Sequence, residues 1–272
     1  MSISRRELRL AIGRRLGDLV VLTGTDQAGD TSSFIDAVSI NVAADTLQGR
    51  QFICVQGSNE GHIARIVGTN EGSGLITFTP AASNVYAIGD VLHVVNKHSR
   101  GWTIDEYNDA ISAAIRDAYP RSLLPLTADI TPDFDMETGE FIVPDPFVEV
   151  SSIEWFDGST WHTVRKAPTL GGYGWSANPG QGTIRISDAP GWLADDMPLR
   201  IWGYQAHPAL ATDTDTTELN PEWIVARACY HLLLGGMDRD ATRSSQVLLY
   251  RDETAAWLTR IRNVRNGSVR IR

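Results

Sequence analysis

The chain has 272 residues, of which 42% are hydrophobic and 21% charged, and its formal net charge at pH 7 is −9. This composition is typical of a folded protein that buries a core without disulfides or metals, and it excludes disordered and collagen-like chains. No apolar run approaches the ~20 residues that span a bilayer, and the acidic balance argues against a protein that coats DNA with its whole surface.

The first predicted element is a helix over residues 4–17. Ser4 and Glu7 match the S-x-x-E capping box, in which two side chains satisfy free backbone N–H groups of the first turn. Leu8 and Ile12 then follow four residues apart, which gives the helix one apolar stripe.

Residues 20–97 change to a β pattern. Short apolar runs alternate with turn signals at a spacing of roughly 10–15 residues, which is typical of antiparallel strands in a small barrel or sandwich. The predicted strands cover residues 34–38, 51–55, 62–67, 75–79 and 91–95. The glycine-rich loop between the third and fourth of these runs predicts a hairpin.

A second helix is predicted over residues 103–119. Thr103 and Glu106 form another capping box, and Trp102 can pack on Tyr107 across the first turn.

Residues 127–206 return to a β pattern. The alternating runs on either side of Asp157-Gly158 predict a hairpin with a tight turn at these two residues, and they place Trp155 beside Trp161 as a cross-strand neighbour.

The last 55 residues are helical again. Asn220 can cap a helix that begins at Pro221, and the run up to Leu234 is apolar almost all round, so we expect that helix to be buried. A last helix is predicted to begin at Asp240. Residues 268–272 then alternate between apolar and cationic side chains, which favours a strand.

The element order is helix, β module, helix, β module and two helices. It predicts an α+β fold in which an α-helical bundle of about four helices carries two inserted antiparallel β modules. The helical core would combine residues 1–19, 98–126 and 218–272, with a β-barrel or sandwich inserted at 20–97 and a second β-rich module at 127–217.

Sequence motifs of common catalytic sites are absent. The chain has no phosphate-binding G-x-x-x-x-G-K-[ST], no H-E-x-x-H and no G-x-S-x-G. Residues 213–218 lack the central glycine of a calcium loop, so we interpret them as a solvated loop that leads into the Asn220 cap. The histidines are scattered, and the two cysteines, Cys54 and Cys229, are expected to be buried free thiols. We therefore predict no catalysis, no cofactor and no metal site.

Tryptophan is concentrated in the second β module, and two interpretations of it stay open. Large aromatic side chains can form a stacking platform for sugars or single-stranded nucleic acid, or they can fill a small core or an interface. The five tryptophans concerned are Trp155, Trp161, Trp175, Trp192 and Trp202.

The charge is unevenly distributed along the chain. Five arginines and no acidic residue follow Glu253, so removing these five positive charges from the net −9 leaves −14 on residues 1–253. Such asymmetry favours an interaction tail, although Arg260 and Arg262 also suit the negative end of a helix dipole.

Three features together resemble the head-to-tail connector, or adaptor, proteins of tailed bacteriophages. They are the capped first helix, the second helix of the type Trp102-Thr103-Ile104-Asp105-Glu106-Tyr107-Asn108-Asp109-Ala110-Ile111, and the closing helix pair with its basic extension. The phrase Ile153-Glu154-Trp155-Phe156-Asp157-Gly158-Ser159-Thr160-Trp161 also resembles hairpins common in phage neck and tail proteins. The resemblance covers roughly residues 1–20, 102–165 and 218–272. The β module at 20–97 departs from the pattern of the smallest connector proteins.

The resemblance implies a structural virion protein that forms a ring, usually of twelve copies, under the capsid portal. Its partners would be the portal protein, the next neck or tail protein and further copies of itself. DNA would pass through the lumen without sequence-specific binding. An acidic body suits this passage, because its negative charges do not attract the DNA phosphates, whose contacts supply most of non-specific DNA affinity.

The resemblance also implies that the C-terminal extension reaches the portal. A segment that alternates apolar and cationic residues can add a strand to a partner's sheet edge while its arginines pair with acidic groups. The residues of this docking tail would be Arg260, Arg262, Arg265, Val269, Arg270, Ile271 and Arg272. The alternative is a carbohydrate- or receptor-binding tail protein built on the tryptophan-rich β segment.

Overall fold

The chain divides into two compact units. The first combines residues 1–117 with 208–259, and the second combines residues 118–207 with 260–272. The computed structural model describes residues 2–40, 47–70, 72–95, 101–135, 138–167, 174–178, 181–187, 197–235, 241–258 and 269–270.

Four helices lie in these ranges, all in the first unit. They are α1 (Arg5–Leu16), α2 (Ile104–Asp117), α3 (Pro221–Gly235) and α4 (Ala241–Leu258). None of the four combines the length and apolar character needed to cross a membrane.

The described strands are divided equally between the units. Those of the first unit are β1 (Ile3–Ser4), β2 (Val20–Thr23), β3 (Ser33–Ile35), β4 (Gln51–Gln56), β5 (Ile63–Asn70), β6 (Leu75–Thr79), β7 (Val91–Val95) and β15 (Thr216–Thr217). Those of the second unit are β8 (Leu124–Ile130), β9 (Glu140–Ile142), β10 (Phe147–Phe156), β11 (Trp161–Val164), β12 (Gly174–Asn178), β13 (Thr183–Ser187), β14 (Leu199–Gln205) and β16 (Val269–Arg270).

The first unit contains a six-stranded antiparallel sheet with the order β2-β7-β4-β5-β6-β3. The sheet closes towards a barrel, because Thr25, just after β2, donates its N–H to the carbonyl of Ile35 on the opposite edge strand at 2.9 Å. Aromatic rings fill the interior: Phe52 and Phe78 meet edge to face with centroids 5.0 Å apart, and Tyr86 meets Phe78 in the same way. The predicted hairpin between residues 63–67 and 75–79 is present as β5 and β6.

Local rules explain how the helices begin and end. Ser4 and Glu7 form the predicted capping box at the start of α1, and Gly17 ends the helix with a left-handed conformation. At the start of α2, the Thr103 hydroxyl accepts from the N–H of Glu106 while the Glu106 carboxylate accepts from the N–H of Thr103. The Asn220 side chain caps α3, which is buried along most of its length as predicted.

The second unit is built from two antiparallel sheets. One has the order β11-β10-β14-β8, with β16 paired to β10 outside this path, and the other has the order β12-β13-β9. Apolar side chains of both sheets, including Ile153, Ile184 and Ile201, form one buried cluster together with Trp175.

The predicted fold class, an α+β protein organised as a four-helix bundle with inserted β modules, is wrong. Within the described residues the fold consists of four antiparallel sheets with sixteen strands and only four helices, so it is mostly β. The second β region and the end of the chain form a unit of their own with no helix among its described residues. The prediction gave most weight to the helices because their 3.6-residue periodicity is visible locally, whereas strand pairing between distant segments leaves no local pattern.

The hairpin at residues 153–164 also differs in detail from its prediction. Phe156 pairs with Trp161, so the loop holds four residues rather than two, and the Asp157 carboxylate accepts from the backbone N–H of Ser159 and Thr160. Trp155 pairs with His162, and Trp161 pairs with Phe156, so the predicted neighbourhood of Trp155 and Trp161 is wrong. The two tryptophans therefore lie on opposite faces of the sheet.

Candidate interaction site

The structure places part of the predicted docking tail on a sheet edge of the same chain. Val269 and Arg270 form β16, which pairs antiparallel with β10. The other residues proposed for the tail lie outside the described residues; they are Arg260, Arg262, Arg265, Ile271 and Arg272.

The position of β16 follows from the pairing of β10 with its other neighbours. Strand β14 covers one edge of β10, where Glu149 and Val150 pair with Tyr204 and Gly203. A strand residue can form a ladder on two edges only, so β16, which pairs with the same two residues, lies on the opposite edge. Strand β11 covers that opposite edge from Ile153 to Phe156. The tail strand therefore follows β11 along the outer edge of β10.

The backbone pairing fixes one register between the two strands. Val269 lies opposite Val150, and Arg270 lies opposite Glu149. Val150 is fully buried and Glu149 is only 7% exposed. In this register the apolar residue of β16 is paired with an apolar residue of β10, and the cationic residue is paired with an acidic one.

The outer face of the same sheet carries exposed aromatic and charged side chains. Leu199 and Ile201 of β14 are buried in the core, so Arg200 and Trp202, which alternate with them, lie on the outer face. The Arg200 guanidinium lies over the ring of Trp161 at 4.1 Å and forms a bidentate ion pair with Asp129.

The tryptophans of the second β region occupy different environments. Trp175 is buried, Trp155 packs against the core, and the Trp202 ring is 42% exposed. The Trp202 indole N–H donates to the Glu154 carboxylate at 3.1 Å. Trp192 lies outside the described residues. Within the described part, the aromatic residues therefore serve both the core and an exposed face.

A buried ion-pair network in the first unit was not predicted. Arg9 is fully buried on α1, where it pairs with Asp213 and donates to the Asn108 side chain at 3.0 Å. Arg5 donates to the same Asp213 carboxylate at 3.0 Å. Burial by itself would raise the pKa of Asp213, but Arg9 and then Arg5 outweigh this effect and lower it.

This network corrects the interpretation of residues 213–218 as a solvated loop. Asp213 faces α1, and β15, which contains Thr217, pairs with β1. Residues 213–217, which lead into α3, therefore contact both α1 and the strand before it. No sequence signal links Asp213 with Arg9, because the two residues are 204 positions apart.

The described residues show no arrangement that points to metal or thiol chemistry. They contain no cluster of three or more His, Cys, Asp or Glu side chains suited to a metal ion. His93 is buried, and this burial, followed by the positive charges of Arg9 and Arg6, lowers its pKa to about 4. Cys54 and Cys229 are buried free thiols, as expected.

An open groove of about 530 Å³ lies between α2 and α3 in the first unit. Its lining includes Trp102, Glu106, Arg116 and His231. Trp102 donates its indole N–H to the carbonyl of Leu232, so this ring is fixed in place. Charges of both signs line the groove, and they select no particular ligand.

Comparison with known proteins adds no family assignment. No known family model matches the sequence, and no curated protein is significantly similar to it.

Proposed function

We propose that this chain is a structural virion protein, a head-to-tail adaptor that forms a ring under the capsid portal and continues the DNA channel towards the tail. The proposal is supported chiefly by the C-terminal segment, which pairs as a strand with a sheet edge in the register Val269–Val150 and Arg270–Glu149. A segment that adds itself to a sheet edge has the property needed for docking on another subunit by β-augmentation.

The charge distribution supports the same role. Residues 1–253 carry −14, whereas the remaining residues carry +5. Repeated association in a ring suits a chain whose body and tail have opposite charges, because each copy offers both surfaces. An acidic channel wall would let DNA slide without binding to it.

Binding of the purified chain to the portal protein of its phage tests this function. Deleting residues 266–272 is expected to abolish portal binding, and Arg270→Glu is expected to weaken it. Arg251→Glu is the matched control, since it makes the same charge change at an exposed arginine of α4 outside the tail. Unchanged binding after the deletion would contradict the docking role.

A second candidate function rests on the exposed face around Trp202. The half-exposed indole lies beside the carboxylate of Glu154, and an aromatic ring next to a hydrogen-bonding carboxylate is suited to a sugar. This alternative predicts that oligosaccharides quench tryptophan fluorescence and that Trp202→Ala removes the quenching. Absence of quenching across a glycan panel would contradict carbohydrate binding at this face.

A further inference from the structure

We propose that β8 is an interface between two copies of this chain, in which the two β8 strands pair antiparallel about Thr127. The inference goes beyond the proposed function, because it concerns the free chain and does not depend on a portal. Such a contact uses the same surface on both copies and closes after two of them, so it predicts a dimer in solution.

The outer edge of β8 has no strand beside it among the described residues. β8 is the last strand in the order β11-β10-β14-β8, and all seven of its residues pair with β14 on the other edge. An unpaired edge of this kind can add a strand from another chain, because its backbone N–H and C=O groups are available for a ladder.

The hydrogen bonds of β14 show which residues of β8 face the open edge. Phe156 of β10 donates its N–H to the carbonyl of Pro198, two residues before Arg200, at 3.1 Å. The bonded pairs of an antiparallel ladder recur at every second residue, so Arg200 bonds towards β10 and Ile201 bonds towards β8. Ile201 pairs with Ala128, and the backbone groups of Ala128 are therefore directed to β14.

The residues that alternate with Ala128 direct their backbone groups away from β14. Thr127 and Asp129 thus present an N–H and a C=O each at the open edge, and Pro125 presents a C=O alone. The position of Pro125 agrees with this assignment, since a proline in an edge strand has its missing N–H on the unpaired side. All three residues are exposed.

The hydrophobic core is incomplete beside β8. Leu126, Ala128 and Ile130 pack against the buried cluster of the second unit but stay partly exposed. Their neighbours on β14, Leu199 and Ile201, are fully buried. A further strand with apolar residues on the same face would cover the partly exposed side chains and remove apolar surface from water.

The pattern of β8 selects a second copy as that strand. Its seven residues alternate between half-buried and exposed positions symmetrically about Thr127. In an antiparallel pair centred on Thr127, Leu126 lies opposite Ala128 of the second copy. Leu124 lies opposite Ile130 in the same way, so the core-facing side of the joined sheet is apolar throughout. Thr127 lies opposite itself, and two opposed threonines stabilise a strand pair.

The charge on β8 favours the same register. Centring on Thr127 places each Asp129 opposite Pro125 of the other copy, and the two Asp129 residues are then four positions apart along the strands, which corresponds to ~14 Å. A register centred on Asp129 would oppose the two carboxylates directly, which is destabilising. In the register proposed, each Asp129 carboxylate also keeps its bidentate ion pair with Arg200.

The mass of the free chain over a dilution series tests the interface. Analytical ultracentrifugation should show a dimer of 29.8 kDa chains that dissociates on dilution. Thr127→Pro removes the central N–H of both copies and should raise the dissociation constant of the dimer at least tenfold.

Thr163→Pro is the matched control, because it makes the same change at the opposite edge of the same sheet. Thr163 is an exposed residue of β11, and it pairs with Glu154, whose own backbone groups bond towards β14. Its N–H therefore also points away from the sheet, and this variant should dimerise like the wild type. The inference is overturned if the wild-type chain is monomeric at every concentration, or if the two proline variants dimerise equally well or equally poorly.

A cysteine at the proposed axis gives a second test that leaves the backbone unchanged. Thr127→Cys places the thiols of two copies at directly opposed positions, where Cα atoms ~5.5 Å apart can be bridged. Mild oxidation should yield a covalent dimer of this variant, whereas Thr163→Cys should yield none. The native thiols of Cys54 and Cys229 are buried and do not contribute. Equal cross-linking of the two variants, or no cross-linking of Thr127→Cys, would contradict the pairing about Thr127.

Discussion

Replacing Arg9 with methionine should strongly destabilise the first unit. Arg9 is fully buried and pairs with Asp213, whose side chain is only 10% exposed. Removing one partner of a buried ion pair costs ~3–5 kcal/mol because the other charge stays in the interior. Arg5 still contacts Asp213 after the change, so we expect the lower end, about 3 kcal/mol.

The free energy of unfolding can be measured by urea denaturation followed by tryptophan fluorescence and circular dichroism. Arg14→Met is the matched control, since Arg14 is an exposed arginine of the same helix, and it should change stability by no more than about 0.5 kcal/mol. Arg9→Lys should fall between the two, because lysine keeps the charge but cannot reproduce the planar fork of donors. A cost for Arg9→Met no larger than that for Arg14→Met would refute the role assigned to this network.

Three further predictions concern other buried groups. Burial and the nearby Arg9 lower the pKa of His93 to about 4, so between pH ~6.5 and 4 the unfolded chain binds a proton that the folded chain does not. The free energy of unfolding should therefore drop by about 3 kcal/mol over that window, and His93→Gln should remove most of this pH dependence in acid-titration melts. Cys54 should react with a thiol reagent at pH 8 only after urea unfolding, since burial raises the pKa of its thiol to about 11, and fast labelling of the native chain would count against this burial. Gly203→Ala should lower the melting temperature of the second unit, because an added Cβ would lie 2.2 Å from the carbonyl oxygen of Glu149, whereas Gly29→Ala, with no atom within 4 Å, should leave it unchanged.

The helix starts could be predicted from the sequence because their determinants lie within a few residues. Ser4 with Glu7 and Asn220 with Pro221 each define a cap locally, and the structure confirms both. The same locality made the fold class wrong, since helical periodicity is more visible in a single sequence than the pairing of strands such as β8 and β14, which are about 70 residues apart.

The candidate interaction site could be predicted only in part. The alternation around Val269 and Arg270 indicated a strand that can join a sheet edge, and a strand is present there. The residues with which it pairs, Glu149 and Val150, are 121 and 119 positions away, on a segment with no distinguishing motif. The same limit applies to Asp213, which the sequence places in a polar loop, whereas in the structure its carboxylate accepts from Arg9, 204 positions away.

The mass of the portal-bound complex tests the central proposal most directly. Native mass spectrometry of the portal mixed with the full chain, and separately with the chain that lacks residues 266–272, gives the number of 29.8 kDa copies attached. The adaptor role predicts a closed ring of copies, twelve by resemblance, on the portal with the full chain and none with the truncated one. A portal that binds no copy of the full chain, or the same number with and without the tail, would contradict it.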